Sequence, residues 1–266
     1  MTPAEIEAAA AALDDAERSG RQIGLLSLAH PGMSMDDAYA VQAEWVRGKL
    51  AAGRRVIGHK IGLTSKAMQQ ALNINIPDSG VLFDDMLFGN GATVPAGRFI
   101  QPRVEAEIAF VMKTDLVGDD IGVTEVLAAT DAIVPSLEIL DTRILRVDPE
   151  TRRARNICDT IADNAANAGL VLGEGRFSQD AVDMRWVGAI VSRDGEVEET
   201  GLGAGVLNDP AAGVAWLVNR LALYGKGLKA GEIVLSGSFI RPIEAPPGSE
   251  IVADFGAYGI VSCRFG

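Results

Sequence analysis

Cysteine and histidine are nearly absent from this 266-residue chain, which carries only Cys158, Cys263, His30 and His59. Two distant cysteines cannot form the disulfide framework of a small secreted domain, and with two histidines they leave too few ligands for a structural zinc site. A reducing, cytoplasmic setting fits, and a Ser-His-Asp triad is a poor design for so little histidine. Basic surplus is missing as well. With Lys+Arg 24 against Asp+Glu 36, a net charge of -12 leaves nothing with which to build a phosphate-binding surface, so nucleic acid is not an expected partner. Arg152-Arg153-Ala154-Arg155 is the one clear basic cluster. No apolar run reaches membrane-spanning length, and Met1-Thr2-Pro3-Ala4-Glu5 opens no basic segment ahead of an apolar block, so neither membrane association nor export is expected. Nucleotide and nucleophile signatures are missing too. Gly201-Leu202-Gly203-Ala204-Gly205 brings its third glycine one residue too early for a dinucleotide fingerprint, and there is neither a Walker sequence nor a Gly-x-Ser-x-Gly elbow.

What is present is 48% hydrophobic residues, enough to bury a substantial core without staples. Thr2-Pro3-Ala4-Glu5 reads as a capping box with proline at the first helical position, starting a helix to about Ser19 that Gly20 ends. Ser34-Met35-Asp36-Asp37 repeats the signal for a second helix, with Ala38, Val41, Trp45 and Leu50 near the helical period and a stop at Gly53. Residues 1–53 are therefore read as an N-terminal helical extension, and residues 54–266 as the main body, one structural unit. Beyond Gly53 short apolar runs alternate with turn residues. Strands are predicted at 55–61, 80–83, 103–112, 134–140, 168–172, 185–192, 232–236, 250–254 and 259–265, with helices at about 124–131 and from Asn208-Asp209-Pro210 to Gly225. The fold class is α+β with strands dominating.

The stretch from Arg103 to Met112 carries the chemistry. Val104, Ala106, Ile108, Phe110 and Met112 alternate as one face of a half-buried strand, which leaves Arg103, Glu105 and Glu107 together on the other. Glutamate is depleted in strands, and like charges on one face repel unless something positive lies between them. A solvent-facing strand would also tolerate this pair. A third carboxylate, Glu138, interrupts the apolar run Ile133-Val134-Pro135-Ser136-Leu137-Glu138-Ile139-Leu140, and three such acids suit a hard divalent ion, magnesium or manganese. Lys60, in Gly58-His59-Lys60-Ile61-Gly62, is either a surface lysine at a strand end or a desolvated group beside the ion, its pKa pulled down toward neutrality. His59 is read as structural. Asp84-Asp85 and Asp163-Asn164-Ala165-Ala166-Asn167 are either turn chemistry or parts of a site.

Taken together, Gly58–Ser65, Pro102–Glu107, Pro135–Glu138, Asp163–Asn167 and Leu235-Ser236-Gly237-Ser238 resemble the hydratase and decarboxylase branch of the fumarylacetoacetate hydrolase superfamily, over essentially the whole chain. The resemblance implies a mixed β-roll core, a homo-oligomer, and a magnesium ion on residues matching Glu105, Glu107 and Glu138. It also implies a hydro-lyase of aromatic catabolism. The stretch from Asp141 to Thr160, with Glu199-Thr200-Gly201 and Val206–Pro210, looks most like the variant that hydrates 2-oxo-hept-4-ene-1,7-dioate through a metal-stabilised dienolate in homoprotocatechuate (4-hydroxyphenylacetate) degradation. On that basis Lys60 is expected to transfer protons and Asp84 to partner the attacking water. The backbone at Gly62 and Leu82 and the Ser236 hydroxyl are expected to position the oxo-acid head. Arg143 or Arg155 is expected to meet the distal carboxylate of this 2-oxo dicarboxylate. Sister reactions, 2-hydroxypenta-2,4-dienoate hydration or 4-oxalocrotonate decarboxylation, stay open, as does a non-catalytic scaffold.

Overall fold

The computed structural model describes residues 1–71 and 76–266. In chain order the helices are α1 (Pro3–Ser19), α2 (Leu26–Ala29), α3 (Met35–Ala51), α4 (Lys66–Ala71), α5 (Val123–Ala129), α6 (Ile157–Ala162) and α7 (Pro210–Ala222). The strands are β1 (Val56–Gly62), β2 (Asp78–Phe83), β3 (Leu87–Phe88), β4 (Thr93–Val94), β5 (Arg103–Met112), β6 (Thr130–Leu140), β7 (Asn167–Leu172), β8 (Gly188–Arg193), β9 (Glu196–Leu202), β10 (Ile233–Ser238), β11 (Ile243–Glu244), β12 (Glu250–Asp254) and β13 (Ile260–Phe265).

The caps read from the sequence form as expected. Thr2 and Glu5 bond reciprocally at the start of α1, and Gly20 closes that helix in the left-handed conformation. Ser34 and Asp37 do the same for α3, and Asp209 caps α7 ahead of Pro210. Departures have local causes. The segment 124–131 was expected to stay helical, but Thr130 already starts β6. Strand β9 went unread because Glu196-Val197-Glu198-Glu199-Thr200 is polar and largely exposed, as suits a sheet edge. Leu50, assigned to the apolar face of α3, is exposed.

Two mixed sheets result among the described residues. The larger runs β2-β1-β10-β5-β6-β7-β3 with β11 also on β5, and the smaller runs β4-β13-β12-β8-β9. Ile108 and Phe110 point from β5 into a core shared with Val191, Ile251 and Val261 of the smaller sheet and with α7. Ala109 points the other way, into a second core with Leu13, Val41, Trp45 and Ile161 from α1, α3 and α6. The larger sheet is thus covered on both faces. The half-buried strand expected at 103–112 is in fact buried on both sides from Ala106 to Phe110, because the N-terminal helices lie over the face carrying Glu105 and Glu107. No helix among the described residues is long and apolar enough to cross a membrane.

One ion pair ties these layers together. Arg143 and Asp163 are both buried, and the guanidinium contacts the Asp163 carboxylate through Nε while its own backbone N–H donates to the same group at 2.9 Å. Its Nη2 donates to the carbonyls of Asp163 (2.7 Å) and Asn167 (3.1 Å), and its plane lies 5.5 Å from the ring of Trp45 on α3. Replacing Arg143 by Met leaves a buried carboxylate without its cation, and the expected loss is about 3–5 kcal/mol, measured by urea denaturation. An unchanged midpoint would refute the role.

Candidate metal centre

The antiparallel register of β5 on β6 sets Glu105 directly opposite Glu138, and Glu107 opposite Ser136. Because Glu105 and Glu107 are two residues apart on a pleated strand, all three carboxylates share one face, and their ligand oxygens lie within 4.8 Å of one another. Glu107 and Glu138 are fully buried, and Glu105 is partly exposed toward the cavity that it lines. Like charges opposed across strands are destabilising in the absence of a counter-charge.

Three donors answer part of that charge. Gly237 N–H donates to Glu107 Oε2 at 2.8 Å, Asn167 Nδ2 donates to Glu138 Oε1 at 2.7 Å, and Lys60 Nζ lies 3.4 Å from the same Oε1. Gly237 sits at an irregularity in the β10–β5 ladder with φ +112, where a Cβ would fall 2.2 Å from Thr64 Oγ1, so only glycine brings its N–H there. Glu107 Oε1 and Glu138 Oε2 are left buried with no hydrogen-bond partner among the described residues. Orphaned buried carboxylate oxygens are rare, and an all-oxygen donor set of this kind fits a hard divalent cation.

The electrostatics follow from burial. Desolvation, then Glu138, lifts Glu105 to about 8, and desolvation with Glu138 and Glu105 lifts Glu107 well above the ordinary carboxylate range. Lys60 corrects an expectation. Burial pushes its ammonium down, but Glu138, Asp78, Glu105 and Glu107 outweigh it, and the pKa moves up instead of toward neutrality. His59 is held at about 4 by burial and stays neutral, in keeping with a structural role.

Above the carboxylates opens a cavity of about 850 Å³ lined by Gly62, Arg103, Glu105, Arg155, Ser238 and Arg241 among others. Arg103 pairs with Glu244 and Arg241 with Glu199. Arg155 is half-buried and, among the described residues, meets no carboxylate within salt-bridge distance. Its Nη1 donates to Thr142 Oγ1 at 2.7 Å, and burial pulls its pKa below the ordinary value.

The structure therefore gathers Lys60, Gly62, Glu105, Glu107, Glu138 and Arg155, and separates three other candidates, Asp84, Leu82 and Arg143, from them. Asp84 lies beyond the far end of β2, roughly 15–20 Å along the strand from Asp78, where it pairs with Arg55 at 3.0 Å. It cannot partner water at the carboxylates. Leu82 is buried in the core beneath the helices with its backbone paired to Gly58, away from the cavity wall. Arg143 is buried, gives its Nε and Nη2 donors to Asp163 and Asn167, and is not among the residues that line the cavity. Ser236 precedes Gly237 on β10 and is fully buried with its Oγ unpartnered among the described residues, and Ser238 supplies the cavity wall.

The acid missed in the sequence is Asp78. It is buried, faces Lys60, and is raised by desolvation. Its Oδ1 would lie 2.2 Å from a Cβ at Gly62, and Lys60 Nζ would lie 3.0 Å from the same point, so glycine at 62 lets acid and lysine close over the strand. Pro77-Asp78-Ser79-Gly80 offers only turn composition, which is why it gave no signal.

No family model matches the chain. It is 52% identical over 253 residues to a 2-oxo-hept-4-ene-1,7-dioate hydratase of Escherichia coli, covering 95% of each chain. The chain belongs to the family of 2-oxo-acid hydratases and 4-oxalocrotonate decarboxylases. Among solved structures, a 4-oxalocrotonate decarboxylase from Pseudomonas putida G7 complexed with magnesium and adipate superposes with TM-score 0.94 at 33% identity, covering 100% of this chain and 99% of the other. A fumarylpyruvate hydrolase from Pseudomonas aeruginosa, 14% identical, shares the fold at TM-score 0.58 over 80% of this chain and 88% of its own. The superfamily's mixed core is thus present here together with N-terminal helices.

Because the Glu105 and Glu107 carboxyls are raised in the fold, their protonated forms are the ones burial favours, so these two support stability below about pH 4.5 and lose that support as pH rises, through about 8 at Glu105. A bound cation favours the charged forms. Chelator-treated protein should therefore lose thermal stability between pH 5 and pH 8, added magnesium should restore it most at the high end, and magnesium binding should release protons. A melting temperature indifferent to magnesium at pH 8 would contradict this.

Proposed function

We propose that this member is a divalent-metal-dependent hydro-lyase that adds water to 2-oxo-hept-4-ene-1,7-dioate, giving 4-hydroxy-2-oxoheptane-1,7-dioate. The observation that carries the reading is a cation-fitting carboxylate triad whose Glu105 lines a cavity that also holds a half-buried arginine with no acid partner among the described residues. The triad suits an oxo-acid head and the arginine a second carboxylate. The 52% identity to the Escherichia coli hydratase supports the same substrate.

Glu105, Glu107 and Glu138 would hold magnesium, with manganese the alternative, and a bound ion supplies Lewis-acid polarisation of the 2-oxo group. The protein's own groups do the rest. Lys60 and Asp78, packed beside Gly62, form the proton-handling pair at the head group. Moving the double bond into conjugation takes a proton from C3 and returns one at C5. Water then enters at C4 with a proton restored at C3, so that the net change is one H and one OH across the original C4=C5 bond. Asp78, beside Lys60, takes over from Asp84 the role of partner to the attacking water and can exchange a proton with Lys60. Arg155 receives the C7 carboxylate, because among the cavity arginines it alone is not held by a glutamate.

Decarboxylation of 4-oxalocrotonate is the second reading, favoured by the close superposition on the decarboxylase. Carbon dioxide release from that compound at a rate above hydration of the seven-carbon dioate would replace the first reading with the second.

Lys60→Ala should keep magnesium-dependent thermal stabilisation and lower turnover by roughly 100-fold or more. Near-normal turnover would remove Lys60 from the reaction. Arg155→Gln should weaken kcat/KM for the seven-carbon dioate by about 10- to 100-fold while sparing 2-oxopent-4-enoate, since only the dioate loses a charge-assisted contact. Equal losses on both substrates would show that Arg155 does not read chain length.

A further inference from the structure

The link from β6 to β7 contains three consecutive non-glycine residues in the left-handed region: Asn164 (φ 53), Ala165 (φ 50) and Ala166 (φ 61). L residues adopt this conformation only where the surroundings impose it, and a run of three is a strong constraint. The constraint is visible on every side. The Asn164 side chain clamps Val81 of β2, accepting from its N–H at 2.8 Å and donating to its carbonyl at 2.9 Å. Ala166 accepts from Asp141 N–H at 2.9 Å. Arg143 Nη2 bridges the carbonyls on either side of the turn, at Asp163 and Asn167.

The product of this construction is the placement of Asn167. Its carbonyl is fixed by Arg143, and its Nδ2 meets Glu138 Oε1 at 2.7 Å. The amide nitrogen must be the group that faces Glu138, because the amide oxygen would meet another acceptor there. Glu138 Oε1 is therefore taken by Asn167 and Lys60, and Oε2 is the oxygen left without a partner.

We propose that Asn167, held by the left-handed Asn164–Ala166 turn and by Arg143, is a positioning residue for Glu138: it occupies Oε1 and leaves Oε2 as the oxygen available to a cation. This rests on the metal centre proposed above. Groups that orient a ligating carboxylate typically govern metal affinity by 10- to 100-fold, so the effect should be readable in metal binding alone.

The test is calorimetric titration with manganese of Asn167→Leu, which keeps volume and loses the donor. Asn167→Ala serves in its place if leucine is not accommodated. Arg143→Lys, which keeps a cation for Asp163 but not the planar fork to Asn167, and Glu138→Gln are titrated in parallel. Each is measured well below its own melting temperature in chelator. The expected result is a manganese Kd weakened by roughly 10- to 100-fold in the Asn167 variant and by a smaller factor in Arg143→Lys. A purely structural turn would lower the melting temperature and leave the Kd of the folded protein alone, so a Kd within twofold of the parent overturns the proposal. If Glu138→Gln also binds manganese like the parent, the metal centre itself is wrong. If it loses binding while the Asn167 variant keeps it, only the positioning role falls.

Discussion

Carboxylate repulsion, confined where water cannot screen it, is the constraint on which the rest of this structure turns. Four acids, Glu105, Glu107, Glu138 and Asp78, face one ammonium, Lys60. At 3.4 Å and an effective dielectric near 20, the Lys60–Glu138 attraction is about 5 kcal/mol, comparable with the several kcal/mol needed to bury one ion. One lysine can therefore offset the burial of about one carboxylate. It cannot offset all four, so desolvation, and after it repulsion from Glu138, moves Glu105 and Glu107 toward their neutral forms in the protein alone and suits the triad to a dication.

The fold makes this arrangement possible by ordinary means applied at unusual places. A sheet with both faces covered removes water from β5 and β6, and the same covering would be ruinous for Glu107 and Glu138 without the donors brought by Gly237, Asn167 and Lys60. Those donors come from β10, from the start of β7 and from β1, so strand pairing and not a flexible loop sets their distances. The irregular step at Gly237 turns one backbone N–H inward, and the missing side chain at Gly62 lets Asp78 lie against Lys60.

What the sequence disclosed and what it hid divide along the same line. Glu105 and Glu107 were legible because a period of two places them together and because glutamate is out of character in a strand. Glu138 was legible as a charge inside an apolar run. The contact between them depends on the register of β5 against β6, which pairs residues 33 positions apart and leaves no local trace. Asp78 and Asp84 have the same chemistry and similar turn-like surroundings, and only the direction of β2 against β1 decides that Asp78 ends beside Lys60 while Asp84 ends on Arg55. Arg143 resembled a free cation in a basic loop because its partner, Asp163, lies in a polar segment that read as turn composition. The capping boxes and Gly20, by contrast, are local chemistry and were recovered in full.

The segment from Asp141 to Ile144 then acquires a meaning that neither end of the cavity has alone. Arg143 faces Asp163 and Asn167, beside Glu138, while the neighbouring Thr142 offers its hydroxyl to Arg155 on the cavity wall. The segment is itself anchored: Asp141 accepts the N–H groups of Ile100 and Gln101, and Gln22 donates to the Thr142 carbonyl. Successive residues of one buried strip thus fix the carboxylate triad and the proposed distal cation relative to each other. An enzyme that must measure the length of a dioate needs such a fixed separation, because a mobile arginine would meet short and long substrates equally well. On this view selection among 2-oxo acids lies in the span between Arg155 and the triad, and the head-group chemistry, built on paired strands, is free to stay the same while that span changes.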